Sequence, residues 1–169
     1  MAGVHWFVLF VRSCQEKTVS SRLGAQGIEN YIPIRRELRQ WSDRKVWKDR
    51  ILMPRTVFVH CTERERLQIL KDNLYADYFM MDRLTKHPAI VPEGQMELFR
   101  RVVGGSAAPV EFHTADAFAP GDMVRVIEGP LKDMECEITS IKNHSYICVR
   151  LGLLGVALTE ISASSVEKI

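Results

Sequence analysis

The sequence lacks the features of a membrane protein or a secreted protein. Its 169 residues contain no run of about eighteen apolar side chains, the length that a membrane-spanning helix needs. The region around Met1 has no charged start followed by an apolar run and a small-residue cleavage site, as a secretion signal would have. We therefore expect a cytoplasmic protein with no membrane partner.

Cysteines are few, and their spacing does not suggest a metal or redox site. The four cysteines, at positions 14, 61, 136 and 148, form no CxxC pair, which is the spacing that zinc and redox motifs commonly use. Buried thiols in a reducing compartment are the simpler interpretation. We expect no metal site and no cofactor.

Catalytic motifs are also missing. The five histidines are scattered and form neither an HExxH motif nor an i, i+4 pair, and a lone histidine is most often an ordinary surface or core residue. The sequence has no GxSxG nucleophile turn, no phosphate-binding loop and no dinucleotide fingerprint. It therefore predicts no catalytic residues, and an enzyme is not expected.

Positive charge is concentrated in one segment. The chain has a net charge of only +2, but residues 35–50 hold seven basic residues against three acidic ones, a net charge of +4. Such a segment is an electrostatic candidate for binding phosphates, although an ordinary solvated loop is the alternative. The candidate nucleic-acid-binding residues are Arg35, Arg36, Arg39, Trp41, Arg44, Lys45 and Lys48.

Two tryptophans, Trp41 and Trp47, lie inside this basic segment. Aromatic side chains can stack on unpaired bases while Arg and Lys hold the phosphates. Alternatively, both indoles pack back onto a sheet as the apolar side of a β-hairpin, since tryptophan is usually mostly buried. The sequence leaves both interpretations open.

The first hundred residues read as alternating strands and helices. The apolar run Trp6–Val11 predicts a buried strand, and Ser13 with Glu16 predicts a capping box that opens a helix. That helix is expected to end at Gly27 in a left-handed cap. A second strand follows at residues 29–33.

The same pattern continues as far as residue 103. Ile51–Cys61 predicts a third strand, Thr62 and Glu65 predict a second capping box and helix, and Tyr78–Met81 predicts a fourth strand. A last helix is expected over Glu93–Val103. The small residues from 104 to 109, with the run to 117, predict a linker without regular structure.

Four short β-rich runs follow the predicted linker. Between Phe118 and Ile161 they are separated by turn residues such as Gly129 and Asn143, a spacing typical of a small, highly curved barrel. In the first run, Val124 and Val126 alternate with the residues of the opposite face. The sequence therefore predicts a second, all-β domain.

Two stretches resemble known motifs. The KOW motif of SH3-like barrels in transcription and ribosomal proteins is similar to GDMVRVIEGPLKDMECEITSI, and the start of the NusG N-terminal (NGN) domain is similar to WFVLFVRSCQEKTVSSRL. Over nearly its whole length the chain resembles a NusG-family transcription elongation factor. The specialised UpxY-type paralogues, which serve surface (capsular) polysaccharide operons, are most similar in RQWSDRKVWKDR and IKNHSYICVRLGLLGVALTEI.

The resemblance implies an α+β chain of two domains. An NGN α/β sandwich with an antiparallel sheet would span residues 1–103, a linker residues 104–117, and a small SH3-like KOW β-barrel residues 118–169. In the family, the N-terminal domain docks on the clamp helices of RNA polymerase through the segment equivalent to Ile51–Cys61. The family's Gly-Tyr pair is Arg55-Thr56 here.

Carried over by position, the segment supplies four candidate polymerase contacts, and Met80 is added because methionine suits adaptable interfaces. The alternative for Phe58 is that it covers a sheet edge while Val57 and Val59 face the core, and for Met80 that it fills the core. The candidates are Met53, Pro54, Thr56, Phe58 and Met80.

The resemblance also implies a function, which is processive antitermination during transcription elongation. The basic hairpin would lie near upstream DNA or the non-template strand, and the barrel would recruit a ribosomal protein or a termination factor. The alternative is a ribosome-associated RNA-binding KOW protein. Residues 118–169 carry five basic and seven acidic residues, and this net charge of −2 favours a protein partner for the barrel.

Overall fold

A computed structural model of the chain describes residues 3–114 and 116–169. The region around Met1, where a secretion signal was not expected, and position 115 of the predicted linker lie outside the described residues. The chain forms two compact units, of which the first ends at Val91 and the second runs from Pro92 to Ile169. Among the helices of these ranges, none has the length and apolar character needed to cross a membrane.

The first unit combines two helices with antiparallel strands. In chain order the elements are β1 (His5–Val11), α1 (Glu16–Ala25), β2 (Glu29–Tyr31), β3 (Ile34–Gln40), β4 (Lys45–Ile51), β5 (Thr56–Cys61), α2 (Glu63–Asp72), β6 (Ala76–Phe79) and β7 (Ile90–Val91). Four strands form the order β2-β5-β1-β6, β7 also pairs with β1, and β3 and β4 form a separate two-stranded sheet.

The core of this unit lies between the larger sheet and the two helices. Alternation along β1 and β5 directs one set of side chains toward α1 and α2, as the predicted buried strand Trp6–Val11 requires. The buried cluster includes Phe7, Leu9, Val11, Val19, Leu23, Val57, Val59, Ile69 and Phe79. Val57 and Val59 thus face the core, as one interpretation of the sequence proposed.

The two predicted capping boxes had different outcomes. At α2 the Thr62 hydroxyl accepts a hydrogen bond from the Glu65 backbone N–H at 3.2 Å, and the Glu65 carboxylate accepts one from the Thr62 N–H at 2.9 Å, so that box is confirmed. The box at Ser13 is wrong, because no side chain caps α1. The Glu16 carboxylate instead accepts a hydrogen bond from the Arg55 backbone N–H at 2.8 Å.

Several predicted elements change their bounds. Helix α1 is followed by Gly27 at φ +76°, as predicted. The predicted strand Ile51–Cys61 is interrupted, because β4 ends at Ile51 and β5 begins only at Thr56. The strand predicted at Tyr78–Met81 is shifted toward the N-terminus and ends at Phe79.

The second unit is a helix followed by six strands. The elements are α3 (Glu93–Gly105), β8 (Val110–His113), β9 (Asp122–Val126), β10 (Glu135–Ile141), β11 (His144–Arg150), β12 (Val156–Ile161) and β13 (Val166–Lys168). The strands form one antiparallel sheet in the order β13-β9-β10-β11-β12-β8. The α+β class with antiparallel sheets is confirmed, and a closed SH3-like barrel stays a prediction.

The prediction that residues 104–117 lack regular structure is wrong. Helix α3 continues through Gly105, and β8 pairs with β12 with His113 opposite Val156. The backbone of β12 would otherwise have unpaired hydrogen-bonding groups on that edge, and β8 satisfies them. The domain bounds at 103 and 118 stay a prediction.

The second unit has tight turns with residues at positive φ where the sequence has Gly129 and Asn143. Gly129 and Asp133 have φ values of +87° and +71°. Lys142 and Asn143, also at positive φ, make the two-residue connection between β10 and β11 that a tight hairpin requires. Val124 and Val126 are buried, as their alternation predicted.

Candidate functional site

The basic segment forms a hairpin of two seven-residue strands. β3 and β4 pair in unbroken register from Ile34 opposite Ile51 to Gln40 opposite Lys45. The connection is tight, since the Trp41 backbone N–H donates to the Arg44 carbonyl at 2.7 Å. The hairpin forms a sheet of its own.

The register divides the hairpin's side chains between two faces, because successive residues of a strand point to opposite sides. We call one the basic face and the other the apolar face. The basic face carries Arg35, Glu37, Arg39, Val46, Lys48 and Arg50, and the apolar face carries Ile34, Arg36, Leu38, Gln40, Lys45, Trp47, Asp49 and Ile51.

Charge is unequal between these faces. The basic face has four basic residues and one carboxylate, whereas the apolar face has two basic residues and one carboxylate. On the apolar face, the Asp49 carboxylate forms ion pairs with Arg36 at 3.9 Å and with Lys17 of α1 at 3.5 Å. The positive potential of the hairpin is therefore concentrated on the basic face.

Both hairpin tryptophans are exposed, Trp41 by 46% and Trp47 by 59%. The alternative that both indoles pack onto a sheet is therefore wrong; the hairpin is a separate two-stranded sheet that leaves both rings exposed. A cation lies over each ring. Lys48, from the basic face, lies 5.5 Å from the centre of the Trp41 ring, and Arg36, from the apolar face, lies 5.9 Å from the centre of the Trp47 ring. Trp41 thus belongs with the basic face.

The structure brings together only some of the predicted nucleic-acid-binding residues. Arg35, Arg39, Lys48 and Trp41 share the basic face, and Arg50, which the prediction omitted, joins them opposite Arg35. Arg36 and Lys45 lie on the apolar face, and Arg44 lies in the connecting turn. Strand alternation was the signal that could have separated these sets.

The predicted polymerase contacts lie on and around the sheet face opposite α1 and α2. We call it the aromatic face; it contains Trp6, Val8, Phe10, Phe58 and Tyr78. Val8 pairs with Phe58 and Phe10 with Tyr78. Phe58 is fully buried and Thr56 is 4% exposed.

The remaining predicted contacts surround this face. Met53 is half-buried and Pro54 exposed in the loop between β4 and β5, and Met80 is half-buried just after β6. Tyr78, which the sequence analysis did not select, is 57% exposed and its ring lies 5.1 Å from that of Phe10. Only the pairing of β6 with β1 reveals that Tyr78 borders the aromatic face.

Arg55 holds the loop that carries Met53 and Pro54. Its φ of +62° is unusual for a residue other than glycine. Its guanidinium Nε donates to the Val11 carbonyl at 3.1 Å, and Nη2 donates to Asp77 at 3.2 Å. Together with the bond to Glu16, these contacts stabilise the left-handed conformation.

Thiol and metal chemistry receive no support from the described part of the chain. Burial raises the pKa of Cys61 and of Cys136 to about 12, and that of Cys148 to about 11, so these thiols stay protonated at neutral pH. Cys14 is exposed, contrary to the expectation of buried thiols. In residues 3–114 and 116–169, no group of His, Cys, Asp and Glu is arranged to hold a metal ion.

Comparisons with known proteins identify similar chains. A family model described as "Transcription termination factor nusG" matches residues 4–100. The solved structure "Domain interaction in Thermotoga maritima NusG" is 23% identical, with 98% of this chain and 97% of that chain covered and a TM-score of 0.50, which shows a shared fold. None of the curated proteins compared with the chain matches it.

A weaker similarity is found to the structure "Crystal Structure of MjSpt4:Spt5 complex conformation A". The identity is 14%, 97% of each chain is covered, and the TM-score is 0.32. This value is too low to bear on the fold.

Proposed function

Because the chain belongs to the NusG family of transcription factors, whose members bind RNA polymerase and are not enzymes, we propose that it is a cytoplasmic elongation factor that promotes processive antitermination. The observation that carries the proposal is the family match over residues 4–100, the part of the chain that contains both the aromatic face and the basic hairpin. The proposed polymerase-binding domain spans residues 1–103.

The proposed contact with the polymerase clamp helices uses the border of the aromatic face. Pro54 and Tyr78 are exposed and Met53 and Met80 are half-buried, so these four side chains are accessible to a partner. Thr56 and Phe58 are buried and would support the contact from within. Aromatic and methionine side chains are enriched in protein interfaces.

The proposed effect on transcription is a shift between polymerase conformations. A factor that binds the closed, active form more tightly than the paused form increases the population of the closed form. Its effect is limited by the difference between these two affinities. The factor therefore needs no chemistry of its own.

The hairpin is proposed to add contact with upstream or non-template DNA. Four basic residues of its basic face and the nearby Arg44 supply charges complementary to phosphates. Each phosphate contact changes the slope of log K against log salt by about −0.9 for duplex and about −0.7 for single strands. DNA contact would thus strengthen polymerase binding most at low salt.

The second unit is proposed to recruit another protein through a KOW-type SH3-like barrel over residues 118–169, connected by residues 104–117. Carboxylates pair with Arg125, Arg150 and Lys168, at N–O distances of 2.6, 2.8 and 3.6 Å, which leaves little free positive charge for RNA. Met123 and Ile127 are 45% and 40% exposed. A ribosomal protein or a termination factor is the proposed partner.

We further propose that the factor serves surface-polysaccharide operons, as the UpxY-type paralogues do. The similarity of the hairpin and of the C-terminal strands to those paralogues supports this specialisation. The measurement is the length distribution of transcripts from such an operon with and without the factor. An equal effect on an unrelated operon would contradict the specialisation and leave the general function intact.

The function is tested by retention of bacterial RNA polymerase on the immobilised full chain. We expect retention by the wild type and a loss of affinity of about tenfold or more for Tyr78→Ala, because aromatic anchors at interface centres often contribute 2 kcal/mol or more. Leu67→Ala is the matched control, since Leu67 is also half exposed but lies on α2. Phe58 is left unchanged because replacing this fully buried side chain would destabilise the unit.

Two results would contradict the function. Failure of the wild type to retain polymerase would overturn polymerase binding, and sedimentation of the full chain with ribosomal subunits would then favour a ribosome-associated protein. Equal losses for Tyr78→Ala and Leu67→Ala would overturn the aromatic face as the docking surface. Circular dichroism of each variant verifies that it is folded.

A further inference from the structure

The two faces of the hairpin offer a partner different chemistry. The basic face combines Arg35, Arg39, Lys48 and Arg50 with an exposed indole at its end, whereas the apolar face pairs Leu38 with Trp47 and neutralises Asp49 with cations. A nucleic-acid strand needs phosphate-binding cations and a stacking surface together. Both faces have an indole, but the strand residues of the basic face have a net charge of +3 and those of the apolar face a net charge of +1.

We propose that the basic face is a binding site for single-stranded DNA in which an unpaired base stacks on Trp41, and that Trp47 takes no part. This inference rests on the proposed function and narrows its DNA contact to one face and one strand type. The exposed strand of the transcription bubble is the unpaired DNA that a polymerase-bound factor would meet.

The geometry of Trp41 supports stacking. The indole is 46% exposed, and the backbone beneath it is held by the hydrogen bond between the Trp41 N–H and the Arg44 carbonyl at 2.7 Å. Lys48 lies over the ring at 5.5 Å, so a base that stacks on the exposed surface of the indole would have a phosphate-binding cation beside it. Little ordering of the ring is then required on binding.

Basic side chains lie along the whole length of the basic face, so a DNA strand can bind from the turn to the base of the hairpin. Arg39 precedes Trp41 by two positions on the same face, and the Arg35–Arg50 pair lies near the base of the hairpin. Seven residues of β3 extend over about 23 Å at about 3.3 Å per residue, so phosphates can follow the face from the turn to the base. Glu37 accepts a hydrogen bond from Arg50 at 3.1 Å, whereas Lys48 lies over the Trp41 ring at 5.5 Å.

A duplex is the main alternative ligand, because a two-stranded ribbon fits the major groove. The bases of a duplex are stacked on one another, so an indole gains nothing by stacking unless a base is unpaired. Single-stranded binding therefore predicts a large dependence on Trp41, and duplex binding predicts a dependence on charge alone.

The test measures fluorescence anisotropy of labelled oligothymidylate and of a labelled blunt duplex with the full chain. Trp41→Ala is expected to weaken oligothymidylate binding by about 5- to 100-fold, Trp41→Phe to restore most of it, and Trp47→Ala to change it by less than about twofold. Arg39→Ala should reduce the salt slope by about 0.7. Duplex binding should be weaker than oligothymidylate binding and insensitive to both tryptophan changes.

Several outcomes would overturn the inference. Equal losses for Trp41→Ala and Trp47→Ala would remove the distinction between the faces, and duplex binding as tight as that of oligothymidylate would remove the preference for an unpaired strand. Tighter binding of oligouridylate would assign the site to RNA. If wild type still retains RNA polymerase in any of these cases, only this inference fails and the proposed function stands.

Discussion

The larger sheet of the first unit and the adjoining hairpin use similar aromatic residues in opposite ways. Trp6 of β1 is 2% exposed, whereas Trp41 and Trp47 are 46% and 59% exposed. The Trp6 ring lies within the five-stranded sheet and stacks on the His60 ring, with 4.7 Å between the ring centres, whereas the hairpin has only two strands in a sheet of its own. This two-stranded sheet buries neither of its tryptophans.

This difference in exposure means that the aromatic residues of the sheet contribute to stability, whereas those of the hairpin are accessible to a ligand. A two-stranded hairpin is marginal by itself, so its tryptophans contribute little to the folded core and remain accessible to a ligand. The sheet buries Trp6, Phe7 and Phe58 almost completely, so the proposed polymerase contact uses the residues at its border. Large aromatic side chains therefore stabilise the sheet, and in the hairpin they remain accessible to the proposed DNA ligand.

The largest expected effect is on the stability of the sheet. Phe79→Ala should lower the free energy of unfolding by about 3–5 kcal/mol, because Phe79 is 2% exposed and its ring lies 6.1 Å from that of Phe7. Trp47→Ala should lower it by about 0.5 kcal/mol or less, as for most surface positions. Urea denaturation of the full chain, followed by circular dichroism, measures both.

Equal losses of unfolding free energy for Phe79→Ala and Trp47→Ala would contradict the contrast between the sheet and the hairpin. That result would mean that Trp47 is part of the packed structure and that the hairpin is not an independent ligand-binding element. Leu38→Ala, on the same face as Trp47, should behave like Trp47→Ala.

The second expected effect is a loss of stability at high pH caused by ionisation of buried thiols. It concerns the other sheets of the protein, since the hairpin has no cysteine. Burial raises the pKa of Cys61 and of Cys136 to about 12, against about 8.5 in an unfolded chain. Above about pH 8.5 the unfolded thiols lose protons while the folded ones keep theirs, so stability is lost as pH rises toward the folded pKa.

Each such thiol should contribute a loss of up to about 1.4 kcal/mol per pH unit above about pH 8.5. Denaturation at several pH values measures the slope, and Cys136→Ala should reduce it. Cys14→Ser, at the exposed cysteine, is the control substitution. A slope equal in wild type and Cys136→Ala would show that this thiol does not titrate differently in the two states.

The smallest expected effect sharpens the division between the hairpin's faces. Glu37 is the one carboxylate among the paired residues of the basic face and is bound to Arg50 at 3.1 Å. Glu37→Gln should raise the affinity for oligothymidylate by about two- to fivefold, since an exposed ion pair contributes about 0.2–1 kcal/mol. The gain should disappear at high salt.

Asp49→Asn is the matched control for this prediction. Asp49 lies on the apolar face, and its replacement should raise the affinity less than that of Glu37. A larger gain from Asp49→Asn would indicate that the strand follows the apolar face. Titration by anisotropy at two salt concentrations distinguishes the cases.

Local sequence patterns were sufficient for most of the strands and helices. The apolar run at Trp6–Val11, the left-handed Gly27, and the reciprocal bonds of Thr62 and Glu65 were all predicted correctly. Each depends on interactions within a few residues. Ser13 matched the same capping pattern but failed, because Glu16 is bound to the distant Arg55.

The sequence by itself determined the family, the alternating strands and helices, and the location of the basic segment, because periodicity, caps and charge are properties of neighbouring residues. Only the tertiary structure decided that Tyr78 borders the aromatic face, that β8 lies within the predicted linker, and that Trp41 and Trp47 are exposed on opposite faces. Those outcomes depend on strand pairing and on the presence or absence of a second layer. Both are set by residues far apart in the chain.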